Sequence, residues 1–404
     1  PLLYPHQWSW DSAFIAIGNV HRRPDRAMLE LRTLFDAQWA NGMVPHIVFS
    51  GESGGYFPAA ADWNSRSCPS APDHVATSGI CQPPVHALAV ELVAAATPDG
   101  GEEFLHALYP RLVAWHDYLL RDRAVGSVLA EVWHPWETGM DNSPAWDRPL
   151  GAIELGRDDI PEYRRVDLAI SDPADRPTDR DYDRYAYLLR RLRSDGYTPK
   201  SPESHPFRIR DVLFNAVMVR SERSLASIAR RIGHDGDAHD ARADELAAAV
   251  DRELWSESAA AYRGVDATTG EHCETTVGGD LVVLLAEPPL DRQEQVVDAL
   301  RDDFFVPAGS TAPIVPTVPI DHSDFEPTRY WRGPSWINVM WLVAEGLERC
   351  GEGPLATQVR DGLLALVAES GCFEYFDPVT RRGLGSERFS WTAALAIDTV
   401  ERCV

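Results

Sequence analysis

Apolar residues recur every three or four positions along most of this 404-residue chain, and that period constrains its fold more than any other feature. It marks helices at about 10–21, 24–41, 83–97, 102–121, 210–232, 237–255, 278–286, 290–302, 333–350, 354–369 and 389–402. Segment 241–254, ARADELAAAVDREL, sets an Ala/Leu/Val stripe against charged positions, as a surface helix does. Segment 335–349, SWINVMWLVAEGLER, is apolar nearly all round in its first half and belongs deeper. The stretches with strand character, 44–49 and 312–318, stand alone, and no strand–helix alternation appears. The chain therefore reads as all-α with few short strands. Helix pairs joined by long loops suit a toroid of two concentric rings, with loops at one end building a pocket. Other helical arrays stay open, because no fixed-period repeat is visible.

Residues 151–205 break the pattern: they are rich in Asp, Arg, Pro and Tyr, with one short helix near 181–194, and read as too polar for a core. Long ordered loops in compact domains are usually functional. The expectation is one catalytic domain over 1–404 in which 151–205 forms an inserted lid, with a linker as the alternative.

A formal charge of −24 and the lack of any face-sized Lys/Arg run exclude nucleic acid as a partner. That charge also disfavours a highly anionic polymer as substrate, unless local arginines overrule the global field. Pairs such as Arg22-Arg23 and Arg381-Arg382 read as solvated surface. The six cysteines (68, 81, 273, 350, 372 and 403) are widely spaced with no C-x-x-C, which fits structural thiols in a reducing compartment. No apolar run reaches transmembrane length and no signal-peptide pattern is present, so a cytoplasmic enzyme without membrane contact is expected, its homo-oligomeric state left open. The chain opens on Pro1-Leu2-Leu3-Tyr4 without a methionine, which leaves an upstream start open.

Four segments concentrate carboxylates and rings. Trp133 to Asp147 packs Glu137, Asp141 and Asp147 with Trp133, Trp136 and Trp146 into a Gly/Pro-interrupted loop. Carboxyls beside aromatic rings are held in the environment that raises their pKa and keeps a proton available for donation. Gly371 to Pro378 sets Glu374 between aromatics, ahead of an Asp-Pro turn, as a plausible base. Hydrolysis of a glycosidic bond needs two such groups, one giving a proton and one activating water or attacking. Near the start, Trp8, Asp11 and Ser12 share helical spacing, so one helix end offers a stacking ring and a hydroxyl-binding carboxylate. In Tyr330 to Trp336, Gly333-Pro334 is expected to open a helix and to deliver Tyr330, Trp331 and Trp336 to its N-terminal end.

Gly51-Glu-Ser53-Gly-Gly55 matches G-x-S-x-G, but Tyr56-Phe57-Pro58 follows where a nucleophile elbow needs a helix. A Gly-rich loop with Tyr56 at its tip is the better reading. H-E-x-x-H, P-loop and G-x-G-x-x-G motifs are missing, and Asp280 and the 321–326 stretch read as solvated loop carboxylates rather than calcium ligands.

Together, Gln7–Phe14 (QWSWDSAF), Pro135–Asp147 (PWETGMDNSPAWD), Tyr330–Trp336 (YWRGPSW) and Cys372–Pro378 (CFEYFDP) resemble the signatures of glycoside hydrolase family 63 and its trehalase-like relatives. The resemblance implies an (α/α)6 toroid that hydrolyses α-glycosidic bonds with inversion and without a metal or organic cofactor. It makes Asp141 the general acid and Glu374 the general base. It also implies a sugar pocket lined by Tyr4, Trp8, Trp10, Asp11, Tyr56, Gln82, Trp136, Tyr330, Trp331, Gly333 and Trp336. The short chain and Thr77-Ser-Gly-Ile-Cys-Gln82-Pro-Pro look more like bacterial mannosylglycerate and glucosylglycerate hydrolases than large oligosaccharide glucosidases. Cys81 is a mild departure, standing where those enzymes usually carry Thr or another small residue. A glycerate-bearing glycoside would need a local cation in so acidic a protein, and Arg176 of the expected lid is the candidate.

Overall fold

The computed structural model describes residues 4–51, 56–165, 167–169, 172–198, 201–306 and 309–403. Of the Gly51–Gly55 motif, only Gly51 lies within the described residues.

Eleven helices of ten or more residues occur among them: α1 (Ser9–Asn19), α2 (Pro24–Asp36), α3 (His86–Ala95), α4 (Gly101–Tyr118), α5 (Asp179–Ser194), α6 (Val212–Arg231), α7 (Asp237–Leu254), α8 (Leu290–Ala299), α9 (Ile337–Arg349), α10 (Gly353–Ser370) and α11 (Ser390–Cys403). A buried 3-10 helix, Gly278–Ala286, completes the main set. Contacts run α1 to α3 to α6 to Gly278–Ala286 to α9 to α11 and back to α1, which closes an inner ring of six. Outside it, α2 lies on α1, α4 on α3, α7 on α6, α8 on Gly278–Ala286 and α10 on α9. This is the (α/α)6 toroid expected from the resemblance. The apolar pattern explains the order of the rings: α6 and α9 bury most of their circumference, whereas α7 buries one stripe, including His239, Ala243, Leu246 and Val250.

Several helix boundaries and types differ from the sequence reading. Helix α2 stops at Asp36 rather than 41, because Asn41-Gly42 makes a turn in which Gly42 takes φ +100° and donates to the Trp39 carbonyl. Helix α9 starts at Ile337, not 333, since Gly333 (φ +155°) and Ser335, bridged to Phe376, still belong to the incoming loop. Segment 278–286 is a 3-10 helix, and α8 ends in one π turn, Leu300–Phe304.

The polar insertion is not excluded from the core. Thr178 and Asp181 form a reciprocal capping box that starts α5, whose Tyr182, Tyr185, Leu188, Leu189 and Leu192 are buried. Asp280 is buried as well: it accepts the Val277 N–H at 2.8 Å, where a solvated loop carboxylate was expected. No group of three or more His, Cys, Asp or Glu among the described residues is placed to hold a metal. None of the described helices is long and apolar enough to cross a membrane.

Candidate active site

At one end of the toroid, separate segments between Tyr4 and Tyr182 and between Tyr330 and Trp391 converge on a cavity of about 90 Å³. A water needs about 10–15 Å³ by that measure, so the space matches one sugar ring and little more. Tyr4, Trp8, Trp10, Asp11, Tyr56, Gln82, Trp136, Asp141, Arg176, Tyr330, Trp331, Trp336 and Glu374 all line it. Gly333 is the exception: a Cβ there would fall 2.6 Å from the Glu326 carbonyl, and its N–H donates to Thr317 Oγ1, so it shapes the loop behind the wall.

The loop carrying Asp141 is built on a buried ion pair. Arg123 donates to both Glu137 oxygens at 2.8 and 2.6 Å, and Glu137 also accepts the N–H groups of Trp133 and Cys81. Every lone-pair direction of this buried carboxylate is used, the condition under which a buried charge holds its neighbours in place. His134 accepts the Trp136 N–H and meets the Tyr185 carbonyl with its other ring nitrogen, which ties the loop to the insertion. Gly139 takes φ +76° with the Trp10 ring where a Cβ would be, and it delivers Asp141 to the cavity. Tyr185 Oη donates to the Asp141 carbonyl, and Asn142 accepts the Trp331 N–H. Glu137 and Asp147, the latter paired with Arg332 at 2.8 Å, thus shape the loop and leave Asp141 to face the cavity. Burial pushes the Asp141 carboxyl up to about 7, with Arg176 lowering it and Glu374 raising it. It therefore keeps a substantial protonated fraction near neutrality.

Glu374 lies across a two-stranded hairpin, Phe373–Phe376 with Gly383–Glu387. It accepts Tyr4 Oη at 2.5 Å and the Ser386 N–H at 2.9 Å, and burial raises its pKa against Arg176, which lowers it. Gly385 (φ +70°) packs against the carboxylate so closely that a Cβ would fall 2.5 Å from Oε2. We expect Gly385→Ala to lower kcat about tenfold or more, read by steady-state kinetics, because a Cβ there meets the Glu374 carboxylate first and the Tyr375 ring beside it. Parent-like kcat would show that the hairpin does not position Glu374.

Aromatic rings form the rest of the wall. Trp331 and Trp336 stack at 3.7 Å between centroids, Tyr375 lies on the far face of Trp336, and Trp336 Nε1 donates to the Tyr330 carbonyl. Tyr330 is held at φ +42°, an uncommon backbone for a side chain of its size. Its ring carries the Arg176 guanidinium at 4.0 Å. Asp11, in the first turn of α1, is pushed by burial up to about 8.

Arg176 joins the insertion to the cavity. Its Nε donates to Asp167 of the insertion, while Nη1, buried and without a hydrogen-bond partner, stands 4.0 Å from Glu374 Oε1. It is the one Lys or Arg that lines the cavity among the described residues. The sequence reading missed Tyr182 on α5, His46, Phe57, Phe389 and Trp391, which also line the space, and the Gly385-Ser386 clamp. None of them sits in a motif.

A family model described as the mannosylglycerate hydrolase MGH1-like glycoside hydrolase domain matches residues 4–392. The mannosylglycerate hydrolase of Rubrobacter radiotolerans is 44% identical, covering 99% of this chain and 92% of its own. The glucosylglycerate hydrolase of Mycolicibacterium hassiacum is 36% identical, covering 98% of this chain and 92% of its own. The crystal structure of the family 63 mannosylglycerate hydrolase from Thermus thermophilus with Tris and D-glycerate superposes with a TM-score of 0.89 at 38% identity, covering 98% of this chain and 94% of that one.

Proposed function

The chain belongs to the mannosylglycerate hydrolase MGH1-like family of glycoside hydrolases, and from that premise we propose that it hydrolyses a glucosyl or mannosyl unit α-linked to glycerate, with inversion. Asp141 gives its proton to the glycosidic oxygen as the bond to the anomeric carbon breaks. Glu374 takes a proton from a water whose oxygen bonds to that carbon on the opposite face. Free hexose and glycerate leave, with Asp141 ionised and Glu374 protonated, and solvent returns the proton before the next turnover. Asp11, Gln82 and the rings of Trp8, Trp10, Trp136 and Trp331 bind the sugar. The insertion acts as the lid of a single catalytic domain.

The observation that carries the glycerate assignment is Arg176 Nη1, buried without a hydrogen-bond partner in a cavity that also holds the carboxyls of Asp11, Asp141 and Glu374. A buried guanidinium N–H without an acceptor is costly, and a glycerate carboxylate supplies one. The small volume supports a short substrate over an oligosaccharide. Arg176→Met is expected to lower kcat/KM on glucosylglycerate or mannosylglycerate by the worth of a lost buried charge contact, about 2–5 kcal/mol. A neutral glycerol glycoside should lose far less. Equal losses on both, or equal parent rates on trehalose, kojibiose and the glycerate glycosides, would remove the glycerate assignment.

A further inference from the structure

A second cavity, of about 80 Å³, adjoins the sugar pocket. The two share one wall, made by Tyr4, Trp8, Asp11, Phe389 and Trp391. Neither Asp141 nor Glu374 lines the second space itself, and neither do Trp136, Arg176 and Tyr182. Tyr4 makes the link: its hydroxyl donates to Glu374, and its side chain borders both spaces.

Part of the lining of this cavity is polar: Gln7, Ser12, Glu30 and Ser390. Ser12 follows Asp11 in the first turn of α1 and donates to Glu30 Oε1 at 2.8 Å. Gln7 donates to the same oxygen at 2.9 Å, and Glu30 pairs at 3.6 Å with Arg26 on the surface of α2. Exposed Ser390, at the start of α11, lines the same space. By the measure of about 10–15 Å³ per water, the space holds roughly five to eight waters, and its lining gives them partners.

An inverting hydrolysis consumes one water per turnover on the face opposite the departing oxygen. When a hexose fills the front pocket, that water cannot follow it in past the ring. We propose that the second cavity is the conduit through which the hydrolytic water reaches Glu374 and through which its abstracted proton returns to solvent. This rests on the inverting reading above. The conduit carries solvent between bulk and the base, and the wall of Tyr4, Trp8 and Asp11 gates it at the inner end.

Two substitutions plug it without touching the sugar pocket: Ile15→Phe, from the half-buried flank of α1, and Ser390→Trp, at the exposed mouth. Each is measured on a glycerate glycoside and on the matching glycosyl fluoride, which departs without a proton from Asp141 yet still needs activated water. The expected result is a loss in kcat of about tenfold on both substrates with KM held within about twofold, at parent-like melting temperature. Parent-like turnover in both folded variants would overturn the conduit, as would a loss matched by an equal rise in KM. The inverting reading fails separately, through the anomer the parent enzyme releases.

Discussion

Replacing Asp141 with Asn is expected to lower kcat on a glycerate glycoside by about 10²–10⁴, the usual worth of a positioned general acid. The same variant should spare hydrolysis of a glycosyl fluoride, whose departure needs no proton. It should also be more stable than the parent at pH 8. Burial raises the folded-state carboxyl to about 7, whereas an unfolded Asp titrates near about 4. Between those values the folded state binds more protons than the unfolded state, so stability falls as pH rises, and the penalty is complete above about 7. Asn carries no such penalty. The variant's advantage is therefore absent below about pH 4 and grows through that window. Discounted for the partial exposure of Asp141, it should reach about 1–3 kcal/mol. Thermal unfolding at several pH values measures it. In the parent, kcat/KM should decline as pH rises through the same region, where Asp141 loses its proton. Parent-like turnover of the Asn variant on the glycoside would remove Asp141 from its role.

Glu374→Gln is expected to cost at least as much, with the opposite pattern across substrates. The carboxylate accepts from Tyr4 on one oxygen and from the Ser386 N–H on the other. A Gln side chain offers a single acceptor oxygen, so keeping the Ser386 N–H forces the Tyr4 bond to reverse, and the amide cannot take up the water's proton. Loss on the glycoside and on the fluoride alike is the signature of a missing base. A Gln variant that still turned over the fluoride at the parent rate would place the base elsewhere.

Much of this was legible in the chain because the helical period is local. The helices followed from their apolar period, the depth of α9 from a first half apolar nearly all round, and the cavity from four motifs that each keep charged groups beside rings, whereas the ring order came with the resemblance. Other features are tertiary. The average polarity of 151–205 hid the stripe of Tyr182, Tyr185, Leu188 and Leu192, so the way α5 buries itself against the Asp141 loop could not be read from composition. Gly385 matters because its strand pairs with that of Glu374, and no spacing rule announces a hairpin partner's glycine. Gly333 shows the reverse case, a motif residue whose place is behind the wall. Trp331 and Trp336 are at once core and site: one face of the stack closes the hydrophobic interior while the same rings border the cavity.

The pairing of Asp141 as acid with Glu374 as base, in a single displacement, is tested most directly by following the anomer of the hexose released in the first minutes of hydrolysis by proton NMR. Starting from an α-linked glycerate glycoside, the β-anomer should appear first and the α-anomer only as mutarotation proceeds. Initial release of the α-anomer would mean that configuration is retained, and would contradict the single-displacement mechanism at its root.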